Sequence, residues 1–187
     1  MRTLIVSEFV SVDGVMEAPG GEAGYAHSGW TMEYGSDEMY RYKLDEALEA
    51  ESLLLGRITY EGFVQAWPER DDEAGFAAKM NAMPKHVVST TLRDPTWTNS
   101  FVLPDASDAV RALKDGDGGP ILVAGSRTLV RALYEQDLVD EYRLLVFPVV
   151  LGSGRRLFPD DVPNKRGLTL VQSQNFSGVQ LQIFRPA

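Results

Sequence analysis

A chain of 187 residues with 44% hydrophobic side chains can bury one full core and is short for two, so a single domain over residues 1–187 is expected. The absence of cysteine excludes disulfides, thiolate catalysis and cysteine-ligated zinc or iron–sulfur sites, and two histidines, His27 and His86, argue against a histidine-built metal site. A net charge of −9, with 18 Lys and Arg scattered among 27 acids, argues against nucleic acid or an anionic membrane as partner, so any anionic ligand must be met by locally placed cations.

In chain order, residues 3–10 read as an opening strand, and the Ser11-Val12-Asp13-Gly14 turn leads into a glycine-rich loop through about Gly35. A connection of this length suits a lid or a binding loop, and it carries Tyr25, His27 and Trp30. Periodicity predicts a helix over 37–50, capped by Ser36 or Asp37, with Tyr40, Leu44, Ala47 and Leu48 on its apolar face. A strand over 52–55 precedes a helix over 59–66 that Trp67-Pro68 stops. A polar stretch with room for another helix leads to strands over 85–90 and 101–103, then a helix over 105–114 closed by the glycines of DGDGG. A strand over 121–124 and a helix over 126–136 follow. From Asp140 the pattern changes to strands alone: 141–150, 168–174 and 179–184, the last two joined by the hairpin signal Asn175-Phe176-Ser177-Gly178. Strand–helix alternation that finishes on strands implies a mostly parallel sheet covered by helices, with an antiparallel C-terminal edge. No apolar run reaches the ~18–20 residues of a membrane span, and the start lacks the apolar core of a signal peptide, so a cytoplasmic location is expected.

The chemistry concentrates at two strand-to-helix junctions, LLLGRITYE (53–61) and ILVAGSRTL (121–129). In each, an apolar β run ends on glycine and a helix begins at once with hydroxyl and arginine side chains, which is how α/β proteins hold phosphate. Two such junctions in one chain suggest a dinucleotide.

The order SxDG, LxGRxTYE, a strand ending Ser-Thr, LVxGSxTL and FPVVLGSGxRLF (147–158) resembles the dihydrofolate reductase-like superfamily. Within it, the chain resembles the C-terminal reductase domain of the bifunctional riboflavin-biosynthesis deaminase/reductase; the zinc-deaminase signature of that enzyme is absent. The resemblance implies a single-domain three-layer α/β sandwich and an NADPH cofactor. It implies that Gly56 allows close backbone approach while Arg57 and Thr59 meet the pyrophosphate or 2′-phosphate. Ser89 and Thr90, with Arg93 nearby, would hold the adenosine phosphate, and Gly125 and Ser126 would offer N–H groups to the pyrophosphate. Dihydrofolate reductase has a double glycine and a later tyrosine where this chain has Ala124-Gly125 and Leu129, so a contact by Leu129 must be apolar.

By the same resemblance Phe9 and Val10 lie beside the nicotinamide, and Asp13 and Trp30 close over the substrate, with Asp13 or water as proton source. The pterin-binding carboxylate of dihydrofolate reductase has three candidate counterparts on the first helix, Asp37, Glu38 and Asp45. Gly152 and Gly154 after Pro148 suit a bend that borders substrate, with Arg155 or Arg156 supplying charge; a strand that turns a corner into a dimer contact explains them equally. The expected activity is transfer of an NADPH hydride to a C=N bond of a small heterocycle. Its specific version is the reduction of 5-amino-6-(5-phosphoribosylamino)uracil. The alternatives are a pterin reductase of dihydrofolate reductase type and a non-catalytic NADPH-binding or dimerising module. A homodimer is expected from the family, with the apolar 144–151 segment in support.

Overall fold

The computed structural model describes residues 1–158 and 165–187. Eight strands form one sheet in the order β4-β3-β2-β5-β1-β6-β8-β7. The strands are β1 (Leu4–Ser11), β2 (Ser52–Gly56), β3 (Lys85–Val88), β4 (Ser100–Leu103), β5 (Ile121–Val123), β6 (Glu141–Phe147), β7 (Leu168–Phe176) and β8 (Val179–Pro186). Every pairing from β4 to β6 is parallel, whereas β6–β8 and β8–β7 are antiparallel. The expected α/β class and antiparallel C-terminal edge are what the chain adopts.

Strand alternation assigns the two helical layers. Leu4, Val6 and Val10 of β1 face α4 (Asp108–Asp115) and α5 (Arg127–Glu135) through Val110, Leu129, Val130 and Leu133. On the opposite face Ile5, Leu53, Leu55 and Leu122 pack with Tyr60 of α2 (Arg57–Ala66) and Met80 of α3 (Phe76–Ala82). α1 (Asp37–Glu49) lies in this same layer, beside α3 and next to the antiparallel strands. The three layers thus bury strands that are apolar on both faces, as parallel sheets require. Among the described residues no helix is long and apolar enough to cross a membrane.

Three expectations are corrected by local chemistry. The run expected over 141–150 ends as a strand at Phe147, because Pro148 has no N–H to give the ladder. Within the apolar 144–151 segment, Leu144, Leu145 and Phe147 are buried in the chain's own core, while Val150 is 70% exposed. The helix expected from 105 begins at Asp108, because the Asp105 carboxylate accepts from the N–H groups of Ser107 and Ala109 and acts as a cap ahead of it. On α1, Leu48 is 55% exposed and Tyr40 37%, while Met39, Tyr42, Lys43, Glu46 and Ala47 turn inward. The inner face of that helix is therefore partly ionic.

Candidate functional site

Strand order reverses between β2 and β5, and the carboxyl ends of β2, β3 and β5 open there into a cleft of about 350 Å³. Gly56, Arg57, Ser89, Thr90, Ser126 and Leu129 all line it, together with Val88 and Ala132. These six come from segments expected at the cofactor, brought together by the pairing of β2 with both β3 and β5.

Helix starts give the cleft its electrostatic character. Gly56 is the N-cap of α2 and Ser126 that of α5, and neither helix receives a side-chain cap. By contrast, α1 is capped by the Ser36 hydroxyl accepting from Met39 N–H at 3.2 Å. Two uncapped helix N-termini on one cleft leave backbone N–H groups and the positive ends of two helix dipoles for an anion. Arg57 adds a cation, at present shared with Glu61 through bonds of 2.8 and 2.9 Å.

The two junctions interlock through their glycines. A Cβ on Gly56 would lie 2.3 Å from Ser126 Oγ, and one on Gly125 would lie 2.7 Å from Thr59 Oγ1, with Gly125 also at φ +66°. Thr59 thus packs against Gly125 rather than lining the cleft. The Gly125 N–H, expected to face a pyrophosphate, is donated to Glu8 Oε1 at 2.6 Å, which leaves the α5 start with Ser126 and the turn behind it. The Ser89 hydroxyl accepts from Thr91 and Leu92 N–H, shaping the turn that presents Thr90. Arg93 is exposed, lies outside the cleft lining, and donates to the carbonyls of Thr90 and Leu92.

On the other side of β1 lies a second cavity, of about 270 Å³, lined by His27, Ser28, Gly29, Trp30, Glu33, Tyr34, Val149 and Leu151. Phe9 reaches toward it: its ring meets Phe147 edge-on at 5.3 Å, and Phe147 in turn meets Trp30 at 5.3 Å and Tyr34 at 6.1 Å. Val10 points to the opposite core, with Leu129 in the same cluster. Trp30 is only 7% exposed and its indole N–H donates to Glu17 O, so the long loop is anchored by this residue.

Asp13 is a tie between loops. Its carboxylate accepts from the Ser11 hydroxyl at 2.7 Å and from Leu151 and Gly152 N–H at 3.1 and 2.8 Å. The Ser11 bond first, and the two amides with it, hold this acid down to about 2, so at neutral pH it braces the 148–154 bend and has no proton to donate. Gly152, at φ +75°, spends its N–H on that brace. Arg155 pairs with Glu17, and Arg156 donates to Asp13 O. Asp37, Glu38 and Asp45 are all exposed on α1; the carboxylate that α1 sends inward is Glu46, bonded to Ser7 Oγ at 2.9 Å and paired with Lys43.

Glu8 went unmarked by the sequence, standing inside an apolar strand where alternation gave no signal. It is 7% exposed, and burial pushes its carboxyl up to about 8 against the lowering effects of Gly125 N–H and Lys43. Arg143 is also buried; burial opposes its charge, and the carboxylates of Glu49 and Glu141, at 2.8 Å each, more than offset that.

Fold and cleft together define a doubly wound α/β domain whose candidate site, the cleft, sits at the topological switch point. The chain belongs to the RibD C-terminal domain family, whose profile matches residues 2–181. It is 28% identical over 185 residues to the uncharacterized protein YyaP of Bacillus subtilis (strain 168), covering 97% of this chain and 93% of that one. The uncharacterized protein YwjB of the same organism is also 28% identical, over 98% of each chain. In structure the chain is similar to a putative riboflavin biosynthesis protein from Shewanella sp. PV-4, with TM-score 0.73, 16% identity and 99% of each chain covered. It is likewise similar to a diaminohydroxyphosphoribosylaminopyrimidine deaminase/5-amino-6-(5-phosphoribosylamino)uracil reductase from Thermotoga maritima, with TM-score 0.66 and 13% identity. That similarity covers all of this chain and 57% of the Thermotoga protein. At these identities the solved structures establish the fold.

Proposed function

We propose that this chain is a cytoplasmic NADPH-dependent reductase acting on a C=N bond of a small heterocycle, with a riboflavin-pathway ribosylaminopyrimidine as the specific substrate. The observation that carries the reading is the convergence of two uncapped helix N-termini, Arg57, Ser89 and Thr90 on one cleft. That donor set suits a phosphorylated dinucleotide: backbone N–H groups for the pyrophosphate, a guanidinium and hydroxyls for a further phosphate. Bound NADPH supplies the hydride. The chain's own residues seat it, with Gly56 and Ser126 opening α2 and α5 onto it, Leu129 giving an apolar contact, and β1 separating the cleft from the aromatic cavity. Trp30, Tyr34, Val149 and Leu151 then give a planar ring an apolar wall, and His27 and Glu33 give it polar groups. With Asp13 ionised, water is the proton source in this reading.

Membership of the RibD C-terminal domain family and the similarity in fold to the Thermotoga deaminase/5-amino-6-(5-phosphoribosylamino)uracil reductase support the substrate class. A pterin reductase of dihydrofolate reductase type is less well served, because Asp37, Glu38 and Asp45 all face solvent. A non-catalytic NADPH-binding module is favoured by one feature, the engagement of Asp13 by three donors. The homodimer we propose forms through β7, an edge strand without a single charged residue in a chain of net charge −9; Leu170 is 51% exposed and Val171 46%. Sedimentation of wild type and Leu170→Lys tests it, with a monomeric variant expected.

Titration with NADPH and NADH, followed by nicotinamide fluorescence, tests the main reading. Tighter binding of NADPH, by about tenfold, and its loss in Ser89→Ala, are expected. Binding of neither nucleotide overturns the reading, and binding without turnover of any pyrimidine or pterin substrate leaves the non-catalytic module.

A further inference from the structure

Three carboxyl groups are buried among the described residues, and two of them are ion-paired: Glu46 with Lys43, and Glu141 with Arg143 and Arg185. Glu8 has no cation at ion-pairing distance among the described residues. It sits midway along β1, between β5 and β6, and its carboxyl accepts a hydrogen bond from the backbone N–H that opens the second junction. That amide belongs to Gly125, which is held from the other side by Thr59.

We propose that Glu8 is the positioning residue of the cleft, fixing Gly125 and hence the start of α5 as a neutral acid, so that no second negative charge stands behind the seat of an anionic ligand. The inference rests on the nucleotide reading of the cleft and goes beyond it by assigning that seat its charge state. Geometry supplies the first half. A bond of 2.6 Å joins a rigid central strand to the one turn that must keep an αL backbone against Thr59, so the N-terminus of α5 is aimed by a strand side chain rather than by its own cap.

The surroundings supply the second half. Lys43 and Glu46 of α1 act on Glu8 with opposite sign. Glu141 and Arg143 of β6 are bonded to each other, β5 brings no charge in Ile121–Val123, and α5 brings Arg127 in its first turn. With no partner to balance it, burial decides, and the carboxyl keeps its proton up to about pH 8. Above that pH the ionised group places a negative charge directly behind Gly125. A ligand of the same sign is then bound less well, and by linkage such a ligand holds the proton on Glu8.

The test uses the intact protein and two readouts. The Gly125 amide resonance, followed from pH 5.5 to 9.5 without nucleotide, is expected to titrate near pH 8 in wild type and to stay flat in Glu8→Gln. The dissociation constant for NADPH is expected to rise about tenfold from pH 7 to pH 9.5 in wild type and less than twofold in Glu8→Gln. A purely structural role for Glu8 would shift stability but leave the pH dependence of binding in place. A Gly125 amide that does not titrate in wild type overturns the proposal without any variant. Equal weakening of both proteins at high pH overturns it alone, whereas NADPH binding by neither protein at either pH overturns the nucleotide reading and this proposal together.

Discussion

The two sides of β1 are built by different means. Toward β5 and β2 the cleft is made of backbone: two glycines that let junctions touch, two helix starts without caps, and hydroxyls at a strand end. Toward β6 the cavity is made of side chains, with Trp30 and Tyr34 on its wall backed by the aromatic cluster around Phe147. The first kind of site depends on conformations that few residues can adopt. The second depends on which distant side chains happen to meet.

Substitutions on each side should separate the two. The largest stability loss is expected from Trp30→Ala, about 3 kcal/mol by urea unfolding, because a buried ring and its bond to Glu17 O are lost together. NADPH affinity should change less than twofold; a parallel collapse of binding would show the two regions to be one. Gly125→Ala should cost about 2 kcal/mol, since the added methyl meets a β-branched Thr59 at a backbone angle unfavourable to alanine. Here binding should fall more than tenfold, and unchanged affinity would break the claim that the interlock shapes the cleft. Arg57→Ala should alter stability least, by no more than about 0.5 kcal/mol, because its partner Glu61 is half exposed. Its NADPH affinity should still drop about tenfold, and Glu61→Ala, which releases the guanidinium, should not weaken binding at all.

The same division governs what could be read from the chain alone. The parallel sheet, the antiparallel finish and the two junctions were legible because glycine, proline and apolar runs act locally, and Gly56, Arg57 and Ser126 follow from them, whereas Leu129 came from the family resemblance. The helix-face reading of α1 found Ala47 but missed Lys43 and Glu46 for a tertiary reason: they are tolerated inside because Ser7 and Arg143 lie opposite them in the fold. Glu8 was hidden likewise, its partner being 117 residues away. Asp13 read as a turn former and an acid, but its ties to Leu151 and Gly152 could not be inferred from a single turn signal.

Those ties have a consequence for selectivity. Asp13, the Tyr25 hydroxyl on Ser153 O, and Val12 N–H on Val149 O stitch the long loop to the bend after Pro148. Since the Asp13 acid remains charged down to about pH 2, acidification within the ordinary range does not undo the stitching. The aperture of the aromatic cavity is therefore set before any guest arrives. If the cavity takes a planar ring as proposed, guests would be sorted by whether they fit a frame of given width, with little ordering entropy left to lose on entry, and widening the repertoire of rings accepted would start at this seam rather than at the wall they touch.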